Sequence, residues 1–168
     1  MTAMLGTGLN PDELDARHWF ELGDKLRDEW LLDKAIAAYR AGGLSAQRSG
    51  RDACLGISYD KIGDILIDRF DPRGAVRVFK ASLAIAERLA GAEPENMELQ
   101  RDLAISHVKL GKALIELGSL PAARAPLEIS LEITKRLAAS APGNMELQLD
   151  LLVSYDDLGD LELARHNL

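Results

Sequence analysis

The chain has 168 residues, 47% of them hydrophobic, 28% charged and 5% aromatic, with a formal net charge of −7. That length is one domain's worth, able to bury roughly 70% of its unfolded surface, and the apolar share is too high for a disordered chain. The negative charge disfavours a nucleic-acid or anionic-membrane partner, since either needs a positive field.

Residues 1–11 read as a flexible leader and 12–168 as a single domain. Asn10-Pro11-Asp12-Glu13 resembles a helix start, with a capping Asn, a proline in the first turn and acids near the positive end of the helix dipole. The first helix is expected to run to about Glu29, with Leu14, His18 or Trp19, Leu22 and Leu26 on one face. A turn at Trp30-Leu31 leads to a second helix from about Asp33, with Ala35, Ile36 and Tyr39 inward. Gly42-Gly43 offers one stop. The preferred reading carries the helix on to about Arg48, with Ser49-Gly50 as the break, because Gly42 falls where later segments have the small residues Ser82 and Ser130. A third helix follows from Arg51 to Arg69, with Leu55, Tyr59, Ile62 and Leu66 on its stripe.

Asp71-Pro72 opens the fourth helix, whose stripe is Ala75, Phe79, Ser82, Ala86 and Leu89, and 91–95 make a turn. The fifth, Asn96 to Leu117, carries Leu99, Leu103, His107, Leu110, Leu114 and Leu117 at steps of three and four. Gly118-Ser119 breaks it. The sixth runs from about Leu120 to Ala139, with Pro126 inside; a proline there removes a backbone hydrogen bond at a cost of about 3 kcal/mol, so a kink or a later start is expected. Pro142-Gly143 precedes the seventh, Asn144 to about Arg165. No segment alternates as a half-buried strand does. The expected fold is all-α, a right-handed α-solenoid of seven antiparallel helices, paired as about 12–49, 51–91 and 96–140 with a terminal helix at 144–166.

The order is repetitive. Asn96-Met97-Glu98-Leu99-Gln100 returns unchanged as Asn144-Met145-Glu146-Leu147-Gln148, and Gly63, Gly111 and Gly159 keep the same 48-residue step. A fixed period of this kind marks stacked repeats. Aligned on glycine (Gly23 included), the residue four before is Trp19, Tyr59, His107 or Tyr155, and the residue just before is Leu22, Ile62, Leu110 or Leu158. Twelve after stand Ala35, Ala75 and Ala123, and four further on Tyr39, Phe79 and Leu127. Large ring, Leu-Gly, then Ala and a large residue on the next helix: the pattern resembles the tetratricopeptide repeat over nearly the whole chain from Asp12. The step exceeds the usual ~34 residues of that family, which suggests a long-helix variant of the kind found in bacterial multi-repeat proteins.

Nothing in the sequence points to catalysis. His18, His107 and His166 are far apart, no HExxH or Cys/His spacing is present, and the glycines lie within helices rather than in a phosphate loop. Cys54, the only cysteine, reads as a small core residue and His107 as a core ring. No cofactor or metal is expected. A single cysteine excludes an intrachain disulfide and fits a reducing compartment. No stretch approaches the ~20 apolar residues of a membrane span, and Met1–Asn10 lacks the basic start and apolar run of an export signal. A cytoplasmic protein is expected.

The resemblance implies protein or peptide binding on a concave face lined by the first helix of each pair. Carried over by position, that lining is Phe20, Asp24 and Arg27; Asp60, Asp64 and Ile67; Val108, Lys112 and Ile115; and Asp156 and Asp160, with Leu163 in the last equivalent place. The aspartates are either a solvated face or an acidic groove for a Lys/Arg-rich segment with Val108, Ile67 and Ile115 as apolar anchors. The terminal helix is apolar on more than one side, and Leu149, Leu152 and Leu163 point to self-association, to a docked partner or to a longer array. Two functions follow: a non-catalytic binding scaffold, or a self-assembly module acting through its C-terminal helix.

Overall fold

The computed structural model describes residues 15–166, and among them seven helices and no strand. They are α1 Ala16–Asp28, α2 Leu32–Arg48, α3 Asp52–Asp68, α4 Pro72–Ala92, α5 Met97–Glu116, α6 Leu120–Ser140 and α7 Met145–His166. The fold is all-α, with consecutive helices packed on one another within two compact units, as in an α-solenoid. One unit ends at Asp71 and holds α1–α3; the other begins at Pro72 and holds α4–α7.

In the first unit the contacts run antiparallel between successive helices. Tyr39 of α2 lies flat on Gly23 of α1, where an added Cβ would come within 2.4 Å of the ring. Nearer the end of α2, Gly42 is pressed by the Phe20 ring from one side and Gly43 by Ser58 of α3 from the other; added Cβ atoms would meet both neighbours at 2.7 Å. Two glycines in mid-helix are costly alone, and here two neighbouring helices require them. This is why α2 continues through Gly42-Gly43 to Arg48. Ser58 Oγ donates 2.7 Å to the Tyr39 carbonyl, so the close approach also satisfies a buried hydroxyl.

In the second unit the repeated pentapeptide does the same two jobs twice. Asn96 Oδ1 accepts from the Glu98 and Leu99 amides at 3.1 and 3.3 Å, capping α5. Asn144 Oδ1 accepts from Glu146 and Leu147 at 3.0 and 3.4 Å, capping α7. The last residue of each copy then ties its helix to the preceding one. Gln100 Nε2 donates 3.1 Å to the Ala90 carbonyl, and Gln148 Nε2 donates 3.1 Å to that of Ala138. Between them Gly111 of α5 sits beneath Leu127 of α6, and an added Cβ would come within 2.5 Å of that side chain.

Several expectations are corrected. The start at Asn10-Pro11 lies outside the described residues, and α1 is capped by Asp15, whose Oδ1 accepts from the His18 amide at 3.0 Å. Pro126 neither delays nor ends α6, which begins at Leu120 after Ser119. Tyr155, aligned with the buried Trp19 and His107, is 51% exposed. Cys54 is only half-buried. The chain also closes α1 and α3 through residues that sequence does not favour there: Trp30 and Phe70 both take a positive φ of 57°, a conformation usually left to glycine. Each belongs to a helix stop in which the next residue turns back, Leu31 N to the Leu26 carbonyl and Asp71 N to that of Leu66, both at 2.8 Å.

The glycines of the repeat therefore differ in consequence. Gly111→Ala forces a methyl into the buried Leu127 side chain and should cost about 1–3 kcal/mol. Gly159 has nothing within 4 Å of an added Cβ, so Gly159→Ala should gain about 0.5–1 kcal/mol from helix propensity alone. Urea unfolding of the two variants beside the parent chain checks the opposite signs.

Candidate functional site

The first helices of successive pairs, α1 with α3 and α5 with α7, meet along a polar seam. In the first unit Asp24 accepts from Lys61 Nζ and from Tyr39 Oη, each at 2.6 Å, and Arg27 Nη2 donates 2.8 Å to Asp68. Lys61 Nζ also stands 5.4 Å from the Tyr39 ring centroid, over its electron-rich face. Burial pushes the Asp24 carboxyl up, but the bonds from Lys61 and Tyr39 outweigh it and hold the group below the usual carboxylate range. The Tyr39 hydroxyl is held well above its ordinary value by burial and by that same carboxylate.

In the second unit the same contact recurs with its charges exchanged. Asp24 follows Gly23 by one residue and Lys61 precedes Gly63 by two; Lys112 follows Gly111 by one and Asp157 precedes Gly159 by two. Lys112 Nζ lies 2.8 Å from Asp157 Oδ1, and the Asp157 side chain is only 4% exposed. Further along, Arg101 donates 3.1 Å to Asp150 through Nη2 and 2.5 Å to Glu146 through Nη1. The hydrogen bond to Asp150 leads in raising the guanidinium above its ordinary value, against burial, so Arg101 stays a permanent cation.

Beside this seam lies a pocket of about 270 Å³ between α5 and α7, floored by α6. Ala104, Ile105 and Val108 line one wall and Val153 the other, while Arg101, Lys112 and Asp150 form the rim. The floor is hydroxyl-bearing. Thr134 Oγ1 lies 3.1 Å from Ser154 Oγ, which donates 3.0 Å to the Asp150 carbonyl. Ser130 Oγ, also in the floor, is buried without a hydrogen-bond partner, as is Asp157 Oδ2 in the seam. The arrangement suits an apolar side chain with a polar end.

The sequence-derived lining is distributed as follows. Val108 and Lys112 line the pocket. Asp24 and Arg27 are held in the seam, and Phe20 packs against Gly42 and lies 6.5 Å from the Tyr39 ring, centroid to centroid. Asp60, Asp64 and Ile67 are half-buried on α3, both carboxylates engaged, and Ile115 is half-buried near the end of α5. Asp156 and Asp160 are exposed on α7. At 3.6 residues per turn they share a side with the exposed Leu149, Leu152 and Leu163, opposite the buried Ser154 and Leu161. Sequence reasoning overlooked Asp157, Arg101, Asp150 and the hydroxyl floor. One signal was available: Ser58, Ser106 and Ser154 recur at the 48-residue step, and all three are buried.

A family model described as tetratricopeptide repeat matches residues 56–96, from within α3 to the cap of α5. The chain carries a tetratricopeptide repeat. Repeats of this type serve protein interaction, and the all-α architecture of packed helix pairs agrees with it. No curated protein matches the chain. Among the described residues no group of three His, Cys, Asp or Glu side chains is placed to hold a metal, and no helix is long and apolar enough to cross a membrane.

Two outcomes test this geometry. Lys112→Met leaves Asp157 buried and unpaired and should cost about 1–3 kcal/mol; adding Asp157→Asn should recover part of it, so the double-mutant cycle should show coupling. His107 is buried in the tetratricopeptide-like α5, and burial lowers its imidazole below 6.5 despite a raising pull from Glu87. The unfolded chain then binds a proton the folded chain does not. Stability should fall as pH drops below about 6.5 and level off beneath the lowered value, and His107→Leu should flatten that part of the urea-midpoint profile.

Proposed function

We propose that the chain is a non-catalytic scaffold that binds a segment of another protein, received in unit two by the pocket between α5 and α7. The observation that carries this is the pocket itself: apolar walls, a rim whose charges are already compensated by Arg101–Asp150 and Lys112–Asp157, and the unpartnered Ser130 hydroxyl in the floor. An apolar entrance with few polar anchors is the usual build of a ligand site. The net charge of −7 and the exposed Asp156 and Asp160 favour a partner segment rich in lysine or arginine.

A second reading has its own support. Leu149, Leu152 and Leu163 are 53%, 56% and 63% exposed along one side of α7, a stripe that a homodimer could cover. Light scattering over a concentration series separates the two, since a scaffold stays monomeric without its ligand.

Selecting peptides from a random library against the whole chain should return binders that Val153→Trp, which plugs the pocket, weakens by about tenfold or more. Binders indifferent to Val153→Trp would remove the pocket from the proposal.

A further inference from the structure

Five residues before Ala35, Ala75 and Ala123 stand Trp30, Phe70 and Gly118, one in each turn between paired helices. The three turns carry the same hydrogen bonds. The Trp30 amide donates to the Arg27 carbonyl and that of Phe70 to Ile67, both at 2.9 Å, and that of Gly118 to Ile115 at 2.8 Å. The amide that follows each of them donates 2.8 Å to the carbonyl five residues back, of Leu26, Leu66 and Leu114. All three residues take a positive φ, 57° at both aromatics and 76° at Gly118. Glycine enters that region freely, whereas a residue with a Cβ is strained there. Burial does not offset the strain: Trp30 is 75% exposed and Phe70 94%. Two large aromatic side chains thus stand where the turn itself calls for glycine.

Their surroundings say what they meet. Arg69 Nη1 donates 2.5 Å to Asp33 Oδ1, and Arg27 Nη2 donates 2.8 Å to Asp68 Oδ2, so the turns at Trp30 and Phe70 are held side by side in unit one. Both arginines are engaged in holding them. Asp28 and Glu29, just before Trp30, are exposed, and among the described residues no cation pairs with either. This end of unit one therefore offers electron-rich ring faces beside free carboxylates. A guanidinium or ammonium group is attracted to both at once, stacking on a ring while it pairs with an acid. A neutral apolar segment would use the rings alone, and an anionic membrane surface would be repelled by the acids.

We propose that this end of unit one, Trp30 and Phe70 with the carboxylates of Asp28 and Glu29, binds an arginine- or lysine-bearing segment of a partner protein, with the cation seated on the rings. The proposal rests on the scaffold reading but not on the pocket, which belongs to unit two.

The probe is a fluorescein-labelled peptide with arginine at every third position between glycine and serine. Its twin carries citrulline, which keeps the planar head group without the charge. In anisotropy titrations with the whole chain, the arginine peptide should bind at least about tenfold more tightly than the twin. Trp30→Gly with Phe70→Gly leaves the net charge unchanged and gives both turns the residue that Gly118 already supplies. That variant should bind the arginine peptide at least about tenfold more weakly and yet unfold at higher urea, a combination that damage to the fold would not produce. Asp28→Asn with Glu29→Gln should close the gap between the peptides. An equal charge change on α7, Asp156→Asn with Asp160→Asn, should leave the gap open, and so should Val153→Trp. Equal binding of the two peptides overturns the proposal, as does arginine binding that the glycine variant keeps, or a glycine variant that unfolds at lower urea. A chain that uses these two aromatics to dimerise or to bind phosphatidylserine vesicles overturns the partner assigned to them. Arginine binding lost on Val153→Trp alone would place the cation in the pocket, overturning this site while sparing the scaffold reading.

Discussion

Everything in both units depends on how closely paired helices approach. At Gly23 and Gly111 the facing side chain occupies the volume where a Cβ would be, 2.4 and 2.5 Å away. No other residue permits that spacing. A helical glycine costs about 1 kcal/mol relative to alanine, whereas seating a Tyr or Leu side chain fully out of water gains roughly 1.5–3 kcal/mol. Tyr39 and Leu127 are both within 1% of complete burial, so the exchange favours the contact. Once that contact is made, the register of each pair is set, and Ser58, Gln100 and Gln148 find their backbone carbonyls because of it.

The seam between first helices has a different role. Ion pairs such as Arg27–Asp68, each partner more than a third exposed, contribute about 0–1 kcal/mol and cannot hold the fold. Their value lies in order. Asp24 meets Lys61, while the equivalent contact in the other unit is Lys112 with Asp157. Exchanging the helices that carry them would set Asp24 against Asp157 and Lys112 against Lys61. Alternating polarity at one structural position therefore penalises mispairing among segments that otherwise share their apolar pattern, and repeated sequences need that protection most. Asp157 adds to the penalty, because its burial makes an unmatched neighbour costly.

Most helix boundaries were legible because they have local causes. The period of three and four, the capping Asn96 and Asn144, and the breaks at Ser49-Gly50 and Gly118-Ser119 act within a turn or two of the residue concerned. Gly42-Gly43 was legible only through the repeat, since its cause is two neighbouring helices and not its own. Trp30 and Phe70 gave no signal: nothing about an exposed aromatic announces a positive φ. The seam was invisible for a related reason. Asp24 and Lys61 are both ordinary surface residues until α1 and α3 are laid side by side, and an acid one turn from another acid suggested a groove rather than a pairing. Tyr155 shares its column with buried rings, yet burial is conferred by the helix that covers it, and among the described residues none does.

The helix α7 divides its charges between pairing within the unit and open surface. It carries six acids, Glu146, Asp150, Asp156, Asp157, Asp160 and Glu162, against Arg165 and His166. Four of the six are neutralised from within the unit: Arg101 takes Glu146 and Asp150, Lys112 takes Asp157, and Arg124 takes Glu162. These are the acids that face α5 and α6. The remaining two stand among exposed leucines on the far side, where no cation of the described residues pairs with them. An apolar stripe drives association without regard to partner, and a copy of the same chain is always the nearest candidate. Two carboxylates on that stripe cost the fold little while it is bare. They keep an otherwise apolar stripe solvated, and like charge brought up against them would be repelled.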